Sequence, residues 1–345
     1  MSDPLISLLI GLAIMLFVLL LVWPEGGLIG FWKNLSKNNR RVLIEDALKA
    51  IYDCEYRSSE CSIQNVKGSL TISGEKAANL ISDLEEMDLV RSNSGKIILT
   101  SEGRSYALRI VRIHRLLEKH FADHTSYKAV EWHEAAEEAE HKISFEDANK
   151  LAADMGNPLF DPHGDPIPTE KGHLPKIKGV FLNELEPGEA ARITHIEDEP
   201  KEVYSQIIAQ GLHPGMQVRI IESDKTRVKF SAETEECVLA PVFASNITVA
   251  PIEEKEEVKE NFRVLTDLKP GQAASVLAIS KACRGQQRRR LMDFGIVPGT
   301  KIFSELESLG GDPRAYIVRG TKVALRKKQA GQIFISENSG EIKNE

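Results

Sequence analysis

Cysteine is scarce in this chain and badly spaced for chemistry. Its 345 residues include four, Cys54, Cys61, Cys237 and Cys283, with no C-x-x-C pair. That spacing suggests neither a zinc ribbon nor a disulfide scaffold and makes a reducing compartment the default. A general excess of positive charge is missing too. The formal net charge is −7, so any surface for nucleic acid must be local, a basic face on an acidic protein. There is no H-E-x-x-H run and no nucleophile motif, which ranks an enzyme, such as a zinc hydrolase built from His and Glu pairs, below the non-enzymatic readings. A more local absence is the most telling. From Glu131 to His141 there is no basic residue except histidine, whereas an ordinary solvated helix alternates its acids with Lys or Arg.

That stretch reads HEAAEEAEH from His133 to His141. At about 100° per residue, His133, Glu137, Glu140 and His141 share roughly a 100° arc of one helical face. His114 and Glu118 stack one turn apart on an earlier helix, so two helices can aim imidazoles and carboxylates at shared points. Imidazole with carboxylate and no thiolate suits Mn²⁺ or Fe²⁺, and Zn²⁺ or Co²⁺ would also bind. The alternative reading is a solvated acidic face, with Glu118 pairing to Arg115 three residues back.

The N-terminus carries an apolar run from Leu5 to Trp23 between Pro4 and Pro24, about 19 residues and long enough for a bilayer core. It has no basic n-region and no small-x-small cleavage site, which favours a retained anchor over a signal peptide. Asp3 precedes the run, whereas Lys33, Lys37, Arg40 and Arg41 follow it. The expected topology is single-pass in a bacterial-type cytoplasmic membrane, N-terminus outside and the remaining domains cytoplasmic.

Beyond a juxtamembrane piece, periodicity predicts a helix from Arg41 to Tyr52, a short helix from Gln64 to Gly68, and a helix from Glu75 to Met87 capped by Ser73. A small hairpin follows at Leu89-Val90 and Ile97-Ile98-Leu99, then a long helix opening near Thr100. Three helices and a hairpin are the winged helix-turn-helix order. The presumed recognition helix offers Lys76, Asn79 and Ser82, and the wing Arg91 and Lys96, but Glu75, Asp83, Glu85 and Glu86 make it acidic for a DNA-facing surface. A Pro/Gly-rich connector from Gly156 to Pro168 should lack regular structure. Then the chain repeats itself: Leu185-Glu186-Pro187-Gly188 returns as Leu268-Lys269-Pro270-Gly271, and Gly211-Leu212-His213-Pro214-Gly215 as Gly295-Ile296-Val297-Pro298-Gly299. Two copies of a β-rich module are expected, joined by an acidic linker. His163, His173, His195 and His213 show no ligand spacing, His120 and His124 read as surface residues, and Arg288 to Arg290 read as a solvated helix.

Residues 40–175 resemble the diphtheria toxin repressor family of iron- or manganese-dependent regulators. The resemblance rests on Glu45-Asp46 before Ile51-Tyr52, Leu99-Thr100-x-x-Gly103-Arg104, His114-Arg115-Leu116-Leu117-Glu118, the run from His133 to His141, and Gly164-Asp165-Pro166-Ile167-Pro168. The second repeat is similar to the FeoA type of SH3-like domain through Leu268-Lys269-Pro270-Gly271 and Arg288 to Gly295, and the first is a diverged copy. The implied fold class is α+β multidomain. Its expected parts are a transmembrane anchor at 1–30, a linker at 31–39, a winged helix at 40–108, an all-α metal-binding and dimerisation domain at 109–175, SH3-like β-barrels at 180–252 and 262–337 around the linker 253–261, and a tail at 338–345.

The resemblance implies one metal site of Asp46, Glu137, Glu140 and His141 and another of His114, Glu118 and His133. Glu137 stands where iron sensors of the family carry Cys and manganese sensors Glu, so it leans to Mn²⁺, while the FeoA-like repeats lean to Fe²⁺. Lys49 occupies a position where manganese sensors place a further carboxylate, which favours a mononuclear site. The implied function is a metal-dependent repressor of metal-homeostasis genes, a homodimer in which the ion fixes two winged helices for a palindromic DNA operator. The alternative is a membrane-tethered metal-sensing module acting on a ferrous iron transporter through protein contacts.

Overall fold

A computed structural model describes residues 40–175, 179–232, 235–252, 263–280, 282–308 and 310–336, together with Leu12 and Met15. The apolar run from Leu5 to Trp23 otherwise lies outside the described residues, as do the linker 253–261 and the tail 338–345. Among the described residues no helix is long and apolar enough to cross a membrane. The chain divides between Val111 and Arg112 into two units.

In the first unit, α1 (Arg40–Tyr56), α2 (Ile63–Leu70) and α3 (Gly74–Glu86) precede the hairpin β1 (Val90–Asn93) and β2 (Lys96–Leu99). Both α1 and α2 run longer than periodicity predicts, because the amphipathic pattern ignores the terminal turns. Ser62 and Asn65 form a capping box at the start of α2, and the Ser73 side chain accepts from the Lys76 amide at the start of α3. These caps satisfy amides that the first helical turn leaves unpaired. Leu48, Ile51, Val66, Ala77, Leu80, Ile81 and Leu84 are buried. Glu45 is buried as well, held by Arg41 Nε at 2.7 Å and by the Tyr106 hydroxyl at 2.9 Å.

The start of α4 (Ser101–His124) explains the Leu99-Thr100-x-x-Gly103 motif. Thr100 Oγ1 accepts from the Gly103 amide at 3.0 Å and donates to Asp88 O at 2.7 Å. A Cβ on Gly103 would lie 1.8 Å from Leu89 O. Gly103→Ala is therefore expected to destabilise the unit by about 2–3 kcal/mol through overpacking, seen as a lowered urea midpoint. An unchanged midpoint would contradict this packing.

In the second unit, α5 (Trp132–Glu140) and α6 (Phe145–Asp154) pack against the C-terminal half of α4 around Ile113, Leu116, Leu117, Ala136, Ala148 and Ile167. The connector carries only an isolated bridge between Phe160 and Pro166. Next come two β modules. The first comprises β3 (Val180–Phe181), β4 (Ala190–Ile196), α7 (Lys201–Ala209), β5 (Gln217–Ser223), β6 (Val228–Ala232), β7 (Glu235–Leu239), α8 (Pro241–Ala244) and β8 (Ile247–Pro251). The second comprises β9 (Arg263–Val264), β10 (Ala273–Ile279), α9 (Gly285–Asp293), β11 (Lys301–Glu307), β12 (Arg314–Val318), β13 (Thr321–Leu325), α10 (Lys327–Ala330) and β14 (Ile333–Ile335).

Both sheets have the same strand order, β3-β8-β4-β5-β6-β7 and β9-β14-β10-β11-β12-β13. Their irregularities coincide as well. The ladder slips between Ile193 and His195 in one copy and between Val276 and Ala278 in the other, and again between Ile220 and Glu222 and between Ser304 and Leu306. Such bulges are designed features of a sheet, so their recurrence at matched positions shows that the sequence repeat is a structural one. Buried aliphatic residues fill each module, around Ile193, Ile207 and Phe230 in the first and around Val276, Leu291 and Tyr316 in the second.

Candidate metal centre

The second unit gathers imidazoles and carboxylates from four segments. His114 and Glu118 come from α4, His133 from the first turn of α5, Asp198 and Glu199 from the link between β4 and α7, and His163 from the connector. His114 Nε2, Glu118 Oε1 and His133 Nδ1 lie 3.1–3.3 Å apart, and Asp198 Oδ2 is 2.9 Å from His133 Nδ1. Donors held at about 2.0–2.2 Å from a tetrahedral ion stand roughly 3.3–3.6 Å from one another. The spacing thus fits an ion after a few tenths of an ångström of expansion.

Neighbouring carboxylates orient these ligands. His114 Nδ1 stands 2.5 Å from Glu140 Oε2; donation to that carboxylate leaves the lone pair on Nε2, the nitrogen that faces Glu118 and His133. A carboxylate behind a histidine is the usual device for fixing tautomer and ring orientation at a metal. Glu140 Oε1 is also 3.6 Å from His141 Nε2, and Glu137 Oε1 is 3.7 Å from His133 Nε2. Within this unit, then, the residues that the sequence motifs divide between two sites are in mutual contact. Asp46 belongs to the first unit, on α1.

His163 Nε2 is 3.8 Å from both Glu118 Oε1 and Asp198 Oδ2, and these three residues form a second group able to hold a cation. Its ring is 1 % exposed, and among the described residues neither nitrogen has a hydrogen-bond partner. Burying a polar group without a partner is costly, so the imidazole suits a coordinating role. The backbone delivers it there: Asp161 Oδ1 accepts from the amides of His163, Gly164 and Asp165. Gly164 has φ +100, and a Cβ there would meet Thr194 O at 2.0 Å, which leaves glycine as the residue that fits.

His163, which shows no ligand spacing in the sequence, stands beside these donors in the fold. Asp198 and Glu199 were also missed, because no ligand motif marks them. A signal existed in the repeat, where Glu197-Asp198-Glu199 of the first copy faces Ser280-Lys281-Ala282 of the second. Carboxylates gained by one copy alone point to a task that the other lacks. The alternative reading, an Arg115–Glu118 pair, gives way to other partners. Arg115 donates to Pro166 O at 2.6 Å and to Asp165 Oδ1 at 3.2 Å, while Glu118 faces imidazoles. His195 reaches Asp165 at 3.2 Å, and His120 is half-buried rather than a surface residue. Arg288 donates to the carbonyls of Ile279, Ser280 and Cys283 instead of standing in solvent.

The centre is electrically prepared for a cation. Burial would raise the Glu118 carboxyl, but His114, His133 and His163 hold it well below the usual carboxylate range. Burial would lower the His133 imidazole, yet Asp198, Glu118, Glu137 and Glu199 together raise it far above its ordinary value. The carboxyls of Asp198 and Glu199 are lowered in turn, Asp198 by His133 and His163 against its burial, Glu199 chiefly by its bond to His133. Carboxylates outnumber imidazoles here, so a divalent ion would replace protons as the balancing charge.

In the first unit, Lys76, Asn79 and Ser82 are exposed on α3. The acidity of that helix is partly neutralised: Arg40 lies 3.1 Å from Asp83, and Glu85 Oε1 accepts from the Ser92 amide at 2.8 Å. In the wing, Arg91 is exposed near Asp88, whereas Lys96 is engaged by Glu60.

Residues 100–169 match the model "Iron dependent repressor, metal binding and dimerisation domain", and residues 180–251 and 263–337 match the FeoA domain. The iron-dependent repressor IdeR of Mycobacterium leprae is 26% identical over 208 residues, which cover 56% of this chain and 90% of that protein. A solved manganese-dependent transcriptional repressor in complex with manganese is 26% identical with a TM-score of 0.57, covering 61% of this chain and 100% of the other. The chain carries the metal-binding and dimerisation domain of iron-dependent repressors and two FeoA domains, and over more than half of its length it is similar to metal-dependent transcriptional repressors. These similar proteins are iron- or manganese-dependent transcriptional repressors. A probable metal transport system membrane protein of Chlamydia pneumoniae is 38% identical over 88 residues, which span 26% of this chain and 20% of that protein.

Proposed function

We propose that Mn²⁺ or Fe²⁺ switches this repressor by filling the centre of His114, Glu118, His133 and Asp198, with His163 adjoining, and so orders a homodimer whose α3 helices enter a palindromic operator. The observation that carries this reading is the buried convergence of His114, Glu118 and His133 with a carboxylate of the first FeoA-like module. An ion there ties the metal-binding helices to that module and favours one arrangement, and by linkage DNA tightens metal binding by the same factor. The sequence motifs alone assign a further ion to Asp46, Glu137, Glu140 and His141. On α3, Asn79 suits adenine and Lys76 guanine or a phosphate, while Arg91 and Lys96 suit backbone phosphates.

The apolar run from Leu5 to Trp23 is read as a membrane anchor with the following domains on the cytoplasmic side. That anchor, with the stretch shared with a metal transport membrane protein, favours a second reading in which the tethered module acts on a ferrous iron transporter through protein contacts. One experiment separates the two. Genomic DNA binding by a chain starting at residue 39 is measured with and without Mn²⁺ or Fe²⁺. Specific binding that appears only with metal supports the repressor mechanism, and Asp198→Ala is expected to weaken it by at least about 10–100-fold, the cost of losing even an outer partner of a metal's ligands. Absence of specific binding in both conditions would leave the transporter reading.

A further inference from the structure

The two FeoA-like copies bring the same corner, the link from the long strand to the following helix, against adjacent residues of α5. In the first copy this link places Asp198 2.9 Å from His133, and Lys201, at the start of α7, donates to Glu134 Oε2 at 3.3 Å. In the second copy the link ends in Arg284, and Gly285 opens α9. The Arg284 guanidinium sits 5.9 Å above the Trp132 ring and 3.7 Å from Asp123 Oδ1. Gly285 has φ +55, and a Cβ there would lie 2.3 Å from Thr125 O. Backbone therefore approaches backbone at the end of α4, a fit that a larger residue would prevent. Trp132 is the residue before His133. Its Nε1 donates to Tyr127 O at 3.1 Å, and its ring meets the His163 ring edge-on at 5.8 Å.

We infer that the second FeoA-like domain is a positioning element of the metal centre, with Arg284 acting through Trp132 on His133 and His163. A guanidinium over an indole face is held by the ring quadrupole, and its planar stack is not reproduced by lysine. Trp132 so held sets the first turn of α5, from which His133 projects, and forms a wall of the His163 pocket. The corner seats when Trp132 is in place, so ion binding and docking favour the same arrangement and each strengthens the other. The repeat divides the labour: one copy gives the centre carboxylates, the other fixes the aromatic residue beside it. This inference rests on the proposed ion at His114, Glu118 and His133.

The test uses the full chain titrated with Co²⁺, followed by its visible absorption, and with Mn²⁺, followed by hydrogen exchange. Arg284→Ala is expected to weaken Co²⁺ binding about tenfold, within the range for residues that orient metal ligands, and to alter the spectrum of the bound ion. Arg284→Lys should recover little, and Arg289→Ala, exposed on the same helix, should match wild type. Mn²⁺ should slow amide exchange in residues 283–290 of the wild type. If Arg284→Ala does not fold, Trp132→Phe serves the same comparison, since it keeps a ring but weakens its hold on the cation. Wild-type affinity and spectrum in these variants, with exchange indifferent to Mn²⁺, would overturn the inference while leaving the metal centre standing. A wild type that shows no imidazole-bound Co²⁺ would overturn the centre and the inference together.

Discussion

Glu118→Ala is expected to abolish Mn²⁺ binding at the imidazole centre and, with it, metal-dependent affinity for DNA. Glu118 faces all three imidazoles, at 3.1 Å from His114 and His133 and 3.8 Å from His163. It is 2 % exposed, so no water replaces it cheaply. Its removal takes from the buried His114 and His133 imidazoles the carboxylate that faces both, and loss of one partner of a buried pair costs about 3–5 kcal/mol. Loss of affinity should therefore come with a lowered unfolding midpoint in the absence of metal. Glu118→Gln keeps the volume and one acceptor, and should keep more stability than Glu118→Ala while still losing the ion. Calorimetric titration with Mn²⁺ and urea unfolding of both variants check this. Full Mn²⁺ affinity in either variant would remove Glu118 from the centre.

The second large effect is on pH. Without an ion, burial works against the His133 proton, but Asp198, Glu118, Glu137 and Glu199 hold that proton well past neutral pH. An ion that binds His133 must expel it, so the apparent Mn²⁺ affinity should rise about tenfold per pH unit for each proton released. The metal-free protein behaves differently. The His133 contribution to stability is full below its unfolded value near 6.5 and is lost only as pH rises through its raised folded value. The Glu118 contribution is present above about 4.5 and is lost as pH falls through its lowered folded value. Acidification below about 4.5 should thus destabilise the metal-free protein. Between pH 6 and 8, Mn²⁺ affinity should climb while metal-free stability changes little through these groups. Affinity that stays flat over that range would place the ion away from His133.

The sites show where sequence reading reaches and where it stops. Histidine and glutamate at helical spacing on two segments, in a stretch without lysine or arginine, identified His114, Glu118 and His133 because helical periodicity alone determines which side chains share a face. Repeat matching found both β modules, since the turns with glycine must recur where the backbone recurs. Asp198 and His163 escaped for a different reason. Their neighbours in space are about 30 or more residues away in sequence, and a loop carries no period from which direction can be read. The alternative Arg115–Glu118 pair shows the same limit in reverse. Helical spacing permits it, but the connector offers Arg115 a carbonyl and a carboxylate, and the imidazoles claim Glu118.

By itself the sequence determined the order of parts: three helices and a wing, two helices that carry imidazoles and carboxylates, an irregular connector and a duplicated β module. Local patterns suffice for this, because caps, turns and amphipathic faces act over a few residues. Tertiary structure alone decided which parts complete the centre. One FeoA-like copy brings carboxylates to His133 and the other brings Arg284 to Trp132, from corners whose local folds correspond. The difference lies in what each corner meets across the fold, and long-range packing is where that is set.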